Sequence, residues 1–332
     1  MSVKKRVLSG MQPSGKMHIG NLVGALNNWV RLQDQYECFY FVADWHSLTS
    51  QYADTSGIKD YVIDILVNWL AAGLDPEKST IFIQSHVPEH AELHLMLSMI
   101  TPLGWLERVP SYKEKQLEVK DKDLNTYGFL GYPLLQSADI LMYKANFVPV
   151  GIDQMSHLEI TREICRRFNN FYREVFPEPE GLLTEFPKVP GLDGRKMSKT
   201  YDNCIYLSDE PGEVEKKIKT MTTDTQRIKR TDPGDPELSP VFQLHKIFST
   251  KEEQDEMAEG CRTAGIGCLD CKKVLIRNIF KVLEPLWERR EGLLKRPDTL
   301  KDIIESGSKR AREIASMTIT EVLEAIKLNI LK

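Results

Sequence analysis

Residues 10–21 read GMQPSGKMHIGN, and the rest of the chain is best understood outward from this stretch. A short apolar segment precedes it and residues with helical spacing follow it, so the pattern predicts a strand, a tight turn and a helix. Such a helix start stabilises an anion through free backbone N–H groups and the helix dipole. Gly10 and Gly15 permit the tight turn, and His18 and Asn21 can donate hydrogen bonds to phosphate oxygens. The stretch is interpreted as a phosphate-binding turn, with an ordinary strand-to-helix connection as the alternative.

The composition is that of an ordinary globular protein of about two domains. The 332 residues are 41% hydrophobic and 28% charged, with a net charge of −4. This charge excludes a uniformly basic nucleic-acid binder, while a local basic face remains compatible with it. The sequence contains no apolar run of about 18 residues that could cross a membrane. It also shows no secretory signal pattern, so a cytoplasmic location is expected.

The first 205 residues alternate predicted strands and helices. Strands are expected near residues 5–9, 39–43, 79–84 and 147–150. A continuous apolar run such as FYFVA at 39–43 is typical of a strand buried on both faces of a parallel sheet. The alternation therefore predicts a doubly wound, Rossmann-like α/β domain over residues 1–205.

After residue 205 the strand pattern stops, which predicts a smaller all-helical domain over residues 206–332. Its helices are expected near residues 211–222, 240–249, 252–264, 268–295, 298–316 and 318–329.

One predicted helix, residues 132–143, is apolar except for a few polar side chains. Gln136 and Asp139 are three residues apart and share a face, and Tyr132 lies one turn earlier. A buried carboxylate must be compensated by partners. Asp139 is therefore either a structural ion-pair partner or an acceptor for a ligand.

A second functional segment, residues 191–200, reads GLDGRKMSKT. Lys196 and Lys199 flank Met197 and Ser198 in a glycine-bearing loop. Their ammonium groups could follow the negative charge that moves onto a leaving pyrophosphate, which is what a triphosphate reaction needs. The alternative is a solvated surface loop.

The HIGN turn and the KMSKT loop, in this order and on these elements, resemble the HIGH and KMSKS signatures of class I aminoacyl-tRNA synthetases. Residues 9–15, 18–26 and 148–162 narrow the resemblance to tryptophanyl-tRNA synthetases of the compact bacterial type, and it extends over essentially the whole chain.

The resemblance implies a tryptophan–tRNA ligase. Such an enzyme forms tryptophanyl-adenylate and pyrophosphate from L-tryptophan and ATP, with Mg²⁺ on the phosphates, and transfers tryptophan to the 3′ end of tRNA(Trp). It also implies a homodimer, and a helical domain that binds the anticodon end of the tRNA.

The same resemblance implies roles for individual residues. Those expected to contact ATP are Gln12, Pro13, Ser14, Gly20, Asn21, Gly151, Ile152, Asp153, Val189, Lys196, Met197, Ser198 and Lys199. Those expected to act in catalysis at the phosphates are His18, Lys115, Lys196, Ser198 and Lys199. Those expected to line the tryptophan pocket are Leu8, His46, Tyr132, Gln136, Asp139 and Gln154. Asp139 is expected to accept the indole N–H.

Two other functions remain open. Gln136 stands where many bacterial relatives carry methionine, and the face formed by Tyr132, Gln136 and Asp139 also resembles the pocket of tyrosyl-tRNA synthetases. Because indole and phenol both offer a donor, one carboxylate can serve either ligand. A non-catalytic, RNA-binding paralogue is the other alternative, although the complete KMSKT loop argues against it.

Three cysteines near the C-terminal part, Cys261, Cys268 and Cys271, follow a C-x₆-C-x₂-C spacing. They resemble the last three ligands of an iron–sulfur cluster that some members of this family carry. Residues 237–240, where a fourth cysteine would lie, contain none, and a cluster normally uses four thiolates. Three hypotheses remain: a cluster completed by His245 or an exogenous ligand, a Cys₃His zinc site, and three free thiols.

Three histidines in another segment also have a spacing that invites a metal-site interpretation. No matching carboxylate motif accompanies them, so they are interpreted as surface or core residues: His86, His90 and His94.

Overall fold

The computed structural model describes residues 4–110, 124–151, 155–183 and 189–329. Within these ranges, five parallel strands form one sheet in the order β3-β2-β1-β4-β5. The strands are β1 (Arg6–Met11), β2 (Glu37–Val42), β3 (Ser79–Ile83), β4 (Phe147–Val150) and β5 (Glu180–Leu183). The predicted α/β fold with a parallel sheet and a helical part is confirmed.

The helices follow the same chain order. Helix α1 begins at Ile19–Asn21 and continues through a π-helical segment, Leu22–Leu26, into Asn27–Leu32. The helices that follow in the first half are α2 (Asp44–Gln51), α3 (Ile58–Ala72), α4 (Glu89–Ser98), α5 (Leu103–Glu107), α6 (Tyr127–Leu130), α7 (Tyr132–Met142) and α8 (Met155–Phe171). Those of the second half are α9 (Pro211–Thr220), α10 (Pro240–Phe248), α11 (Lys251–Arg262), α12 (Cys268–Leu294) and α13 (Pro297–Ala325).

The centre of the sheet is buried, as the apolar runs predict. In β1, Leu8 lies beside Phe39 of β2, and both are almost fully buried. Trp29 stacks on Tyr40 with ring centroids 4.7 Å apart and meets Trp69 of α3 edge-on at 5.2 Å. Such aromatic pairs contribute about 1 kcal/mol each beyond the area they bury. None of the described helices combines the length and apolar composition that crossing a bilayer requires.

Three elements differ from the pattern in the sequence. Strand β5 lies in a segment rich in proline and glutamate that carries no strand signal, and it forms an edge paired only with β4. Helix α2 begins two residues after β2 ends, within polar residues that read as a strand terminus. Helix α13 is one helix where two are expected, because the segment around residue 317 contains neither proline nor glycine to end it.

The chain groups into two compact units that interleave along the sequence. The first unit comprises Met1–Gly15, Asn28–Thr184 and Arg296–Lys332, and the second comprises Lys16–Asn27 and Glu185–Lys295. Helix α13, although last in the chain, therefore belongs to the unit that contains the sheet, whereas the sequence pattern divides the chain at a single position, residue 205.

Helix α13 packs directly on strand β3, and a glycine makes this approach possible. A Cβ atom at Gly307 would lie 1.8 Å from the carbonyl oxygen of Ile81. Arg310 donates to the carbonyl oxygen of Pro76 at 2.7 Å. Arg312 pairs with the buried Glu89 carboxylate at 3.0 Å. The helix is thus held by one close backbone contact and by polar contacts on both sides of it.

Replacing Gly307 tests this packing. We expect Gly307→Ala to lower the free energy of unfolding by about 3 kcal/mol, because the helix or the strand must move to admit the methyl group. Urea unfolding followed by circular dichroism measures the change. The matched control is Gly292→Ala in α12, where a Cβ meets nothing within 4 Å and alanine favours the helix by up to about 1 kcal/mol. Equal midpoints for the two variants would contradict the close contact.

Candidate active site

The turn after β1 has the tight geometry that the sequence predicts. Gly15 has a φ of 140°, a conformation that residues with side chains rarely adopt. The N–H of Ser14 donates to the carbonyl oxygen of Gln12 at 2.9 Å. The side-chain amide of Gln12 in turn donates to the carbonyl oxygen of His46 at 2.5 Å. Gln12 is thereby hydrogen-bonded to His46, whose side chain also contacts Asp139.

The HIGN segment forms the first helical turn of α1 and its cap. The helix begins at Ile19, three residues before the apolar periodicity starts, and His18 is its N-cap residue. The N–H of His18 donates to the Oδ1 atom of Asn21 at 3.0 Å. Because Gly20 has no side chain, the imidazole ring of His18 can lie against it. A Cβ atom at residue 20 would lie only 2.9 Å from Nδ1 of His18. This Nδ1 atom is buried and has no hydrogen-bond partner in the described part of the chain.

The imidazole of His18 is held in its neutral form. Burial, and then the positive charges of Lys199 and Lys196, lower the pKa of His18 to about 4. The HIGN turn and both lysines of the KMSKT loop therefore lie close together within the second unit. A neutral ring can donate one hydrogen bond to a phosphate oxygen while the lysines supply the positive charge.

The KMSKT loop is supported by a residue that the sequence does not single out, the buried Asn203. Its Oδ1 atom accepts the N–H of Ser198 at 2.8 Å, and its Nδ2 atom donates to Asp193 at 2.7 Å. The N–H of Met197 donates to the carbonyl oxygen of Val189 at 2.8 Å. Lys196 is exposed and Lys199 half-buried, so a fixed backbone carries two side chains at the surface.

Asp139 of α7 lies at the centre of a buried hydrogen-bond network in the first unit, and is only 1% exposed. Its Oδ2 atom accepts from Nε2 of His46 at 2.8 Å. Its Oδ1 atom accepts from Nε2 of Gln84 at 2.7 Å and from Nδ1 of His90 at 2.6 Å. The other ring nitrogen of His90 lies 2.8 Å from the hydroxyl of Tyr143.

These partners keep the carboxylate of Asp139 ionised. Burial by itself raises the pKa of the group, but the hydrogen bonds from His46 and His90 outweigh burial and hold the pKa below its ordinary value of 3.8. A buried, ionised carboxylate is an acceptor only, so it offers a site for a hydrogen-bond donor.

Sequence reasoning finds Asp139 and His46 but misses Gln84, His90 and Tyr143. Gln84 follows β3 directly, and a polar residue at the carboxyl end of a buried strand was the available signal. His86 is exposed and His90 is fully buried, in agreement with the surface-or-core interpretation. That interpretation omits the contact of His90 with Asp139.

The remaining predicted site residues fall into three groups. Leu8, Pro13 and Tyr132 are buried, and the ring of Tyr132 lies 5.5 Å from that of His157. Gln136 is half-buried on the same helix as Asp139, and Gly151 directly follows β4. Four lie outside the described residues: Lys115, Ile152, Asp153 and Gln154.

Among the described residues, no complete ligand set for a cluster or a structural zinc surrounds the three clustered cysteines. Cys261, Cys268 and Cys271 are unpaired by disulfides and half-buried. Burial, and then the other two thiols, raise the pKa of Cys271 to about 12. His245 lies 3.3 Å from the Cys271 sulfur. Nevertheless, the described residues include no group of three or more His, Cys, Asp or Glu side chains that could hold a metal ion.

Comparisons with known proteins agree with the geometry. A family model described as tRNA synthetases class I (W and Y) matches residues 2–284. The tryptophan–tRNA ligase of Thermotoga maritima is 55% identical over 97% of this chain and 99% of that protein. That of Ralstonia nicotianae is 45% identical over 98% of each. The crystal structure of tryptophanyl-tRNA synthetase from Campylobacter jejuni complexed with ADP and tryptophan has a TM-score of 0.88 and 36% identity, covering 97% of this chain and 100% of that chain.

The parallel sheet, the HIGN turn and the KMSKT loop thus occur together in a chain that matches the family over most of its length. The chain belongs to the class I tRNA synthetases of the tryptophan and tyrosine family, which are enzymes that join an amino acid to its tRNA. The resemblance in the sequence is confirmed at this level.

The lowered pKa of His18 predicts a pH dependence of stability. Between pH 6.5 and about 4 the unfolded chain binds a proton at this residue and the folded chain does not, so stability falls as the pH falls. From pH 7 to pH 5 we expect wild type to lose about 2 kcal/mol more free energy of unfolding than His18→Gln. Urea titrations at both pH values measure the difference. His86→Gln, which removes an exposed imidazole, should behave like wild type; equal losses in all three proteins would contradict the buried neutral ring.

Proposed function

We propose that this protein is a tryptophan–tRNA ligase. The carboxylate of L-tryptophan attacks the α-phosphate of ATP in line, and pyrophosphate leaves. The terminal ribose hydroxyl of tRNA(Trp) then attacks the carbonyl carbon of the adenylate, and AMP leaves. Support comes from the similarity over nearly the whole chain to proteins named tryptophan–tRNA ligases.

The observation that carries the proposal is the buried, ionised Asp139. Such a group suits an aromatic ring that bears one N–H donor and otherwise prefers an apolar environment. The indole N–H of tryptophan donates to Asp139 in this proposal, with Tyr132, Gln136, His46 and the apolar Leu8 as the other predicted pocket residues.

The phosphates of ATP are assigned to the HIGN turn and the KMSKT loop. His18 donates a hydrogen bond as a neutral ring, while Lys196 and Lys199 stabilise the charge that accumulates on the leaving pyrophosphate. Lys199 is half-buried and Lys196 exposed, so both side chains lie at the surface. Mg²⁺ enters as part of the substrate, bound to the phosphates, where it reduces their negative charge.

We assign tRNA binding to the helical part that follows residue 205. In α12, Lys273, Arg277 and Lys281 are exposed at successive turns. They line a cleft of about 410 Å³ together with Phe280 and the carboxylates of Glu215 and Glu284. A row of cations beside an aromatic ring suits the phosphates and bases of RNA. A homodimer and a cytoplasmic location are proposed from the family resemblance alone.

The proposal predicts amino-acid-dependent exchange of pyrophosphate into ATP. With purified protein, labelled pyrophosphate is expected to enter ATP when tryptophan is present and not when tyrosine replaces it. Adding tRNA(Trp) should then give tRNA that carries tryptophan, measured by acid precipitation of the labelled amino acid.

Other results would point elsewhere. Exchange with tyrosine alone would mean that the face formed by Tyr132, Gln136 and Asp139 binds a phenol. The protein would then be a tyrosine–tRNA ligase. No exchange with either amino acid, together with retained tRNA binding, would indicate the non-catalytic paralogue.

Lys199 provides a sharper test of the loop. We expect Lys199→Ala to lower the rate of adenylate formation by about 100-fold, because the lost charge acts mainly in the transition state. Tryptophan affinity, measured by calorimetry, should change little. The control is Arg195→Ala in the same loop: this cation already pairs with Asp193 at 2.6 Å and lies over the ring of Tyr201. Equal losses of rate and affinity in Lys199→Ala would show that the loop has only a structural role.

A further inference from the structure

The partners of Asp139 use most of its capacity to accept hydrogen bonds. An ionised carboxylate offers about four acceptor positions, two on each oxygen. Gln84 and His90 occupy both positions on Oδ1, and His46 occupies one on Oδ2. Among the described residues, this arrangement leaves one acceptor position, on Oδ2, for a further donor.

The charge on Asp139 determines which nitrogen of His90 carries the proton between the two residues. Because the ionised carboxylate cannot donate, the proton between them must be on Nδ1 of His90. The other ring nitrogen of His90, Nε2, lies 2.8 Å from the hydroxyl oxygen of Tyr143. Burial raises the pKa of Tyr143 well above 10, so this hydroxyl stays protonated. The three residues form a chain of hydrogen bonds that ends on Oδ1.

Gln84 also donates a hydrogen bond to Oδ1 of Asp139, and this contact has an energetic cost. Its Nε2 atom donates to Oδ1, which fixes the orientation of the amide. Its Oε1 atom is then buried without a hydrogen-bond partner among the described residues. A fully buried amide that leaves its own acceptor unsatisfied is expensive, so its contribution to the site is the donor directed at Asp139.

We propose that His90, held by Tyr143, is a positioning residue that acts through Asp139. By occupying Oδ1 together with Gln84, it directs the single remaining acceptor position on Oδ2 to the ring N–H of the substrate. A ligand without such a donor leaves that position unpaired in a buried site, and so binds poorly. This inference rests on the proposed function, since it takes the substrate ring as the final donor to Asp139.

The test compares tryptophan with its analogue in which sulfur replaces the indole N–H. The measured quantity is the ratio of kcat/KM for the two in pyrophosphate exchange. In His90→Phe the ratio should fall by about tenfold or more, mainly through a higher KM for tryptophan, with the KM for ATP unchanged. His90→Asn keeps an amide donor near the position of Nδ1 and should retain most of the ratio.

A second pair of variants keeps the test valid if His90→Phe does not fold. Tyr143→Phe removes only the hydroxyl that holds His90, and should lower the ratio severalfold. The matched control is Tyr40→Phe, because Tyr40 is equally buried and its hydroxyl donates to the carbonyl oxygen of Trp29 at 3.1 Å, away from Asp139. Tyr40→Phe should lower the thermal midpoint and leave the ratio at the wild-type value.

The outcomes separate the inference from the proposed function. If wild type exchanges pyrophosphate with tryptophan while His90→Phe and Tyr143→Phe keep the wild-type ratio, the positioning role is wrong and the proposed function stands. If Tyr40→Phe lowers the ratio as much as Tyr143→Phe, the effect is general destabilisation and the inference is again wrong. If wild type shows no tryptophan-dependent exchange, both are wrong.

Discussion

A single ionised carboxylate inside an apolar core is the constraint on which the sheet unit depends. Transferring such a group from water costs several kcal/mol, and only well-directed donors offset the cost. Asp139 receives these donors from three different elements: Gln84 after β3, His90 on α4 and His46 on α2. The relative placement of those three elements is therefore determined by one charge. If any of them shifted, the carboxylate would lose one of its hydrogen-bond donors.

The HIGN turn and the KMSKT loop follow the opposite electrostatic design. There the charge is left near the surface and the hydrogen-bonding ring is kept neutral. Burial, and then the charges of Lys199 and Lys196, lower the pKa of His18, so the ring does not add a third positive charge that would repel the lysines. The backbone beneath the lysines is held by Asn203. Nucleotidyl transfer with loss of pyrophosphate needs such a combination of fixed donors and nearby cations.

Sequence patterns are informative where a property is local. The central strands are predicted because burial on both faces produces continuous apolar runs, and Asp139 stands out because it is charged on an apolar helix. Its partners could not be assigned in this way, since Gln84 and His90 lie 55 and 49 residues away along the chain and meet it only through tertiary packing. Strand β5 was missed for a related reason: an edge strand with one neighbour is defined by pairing rather than by composition. The histidines at 86, 90 and 94 looked alike in sequence, and only burial distinguishes His90 from the others.

The place of α13 in the fold bears on how the protein is made. Strand β3 emerges from the ribosome more than 200 residues before the helix that covers it. Buried residues such as Ala311, Ala315 and Val322 belong to the same apolar cluster as strand residues from the first part of the chain. During synthesis the sheet unit therefore keeps an uncovered apolar face for more than 200 residues of elongation, a period in which a nascent chain is prone to aggregate. Completion of the first unit therefore waits for the synthesis of α13, which favours chaperone protection until that helix is released.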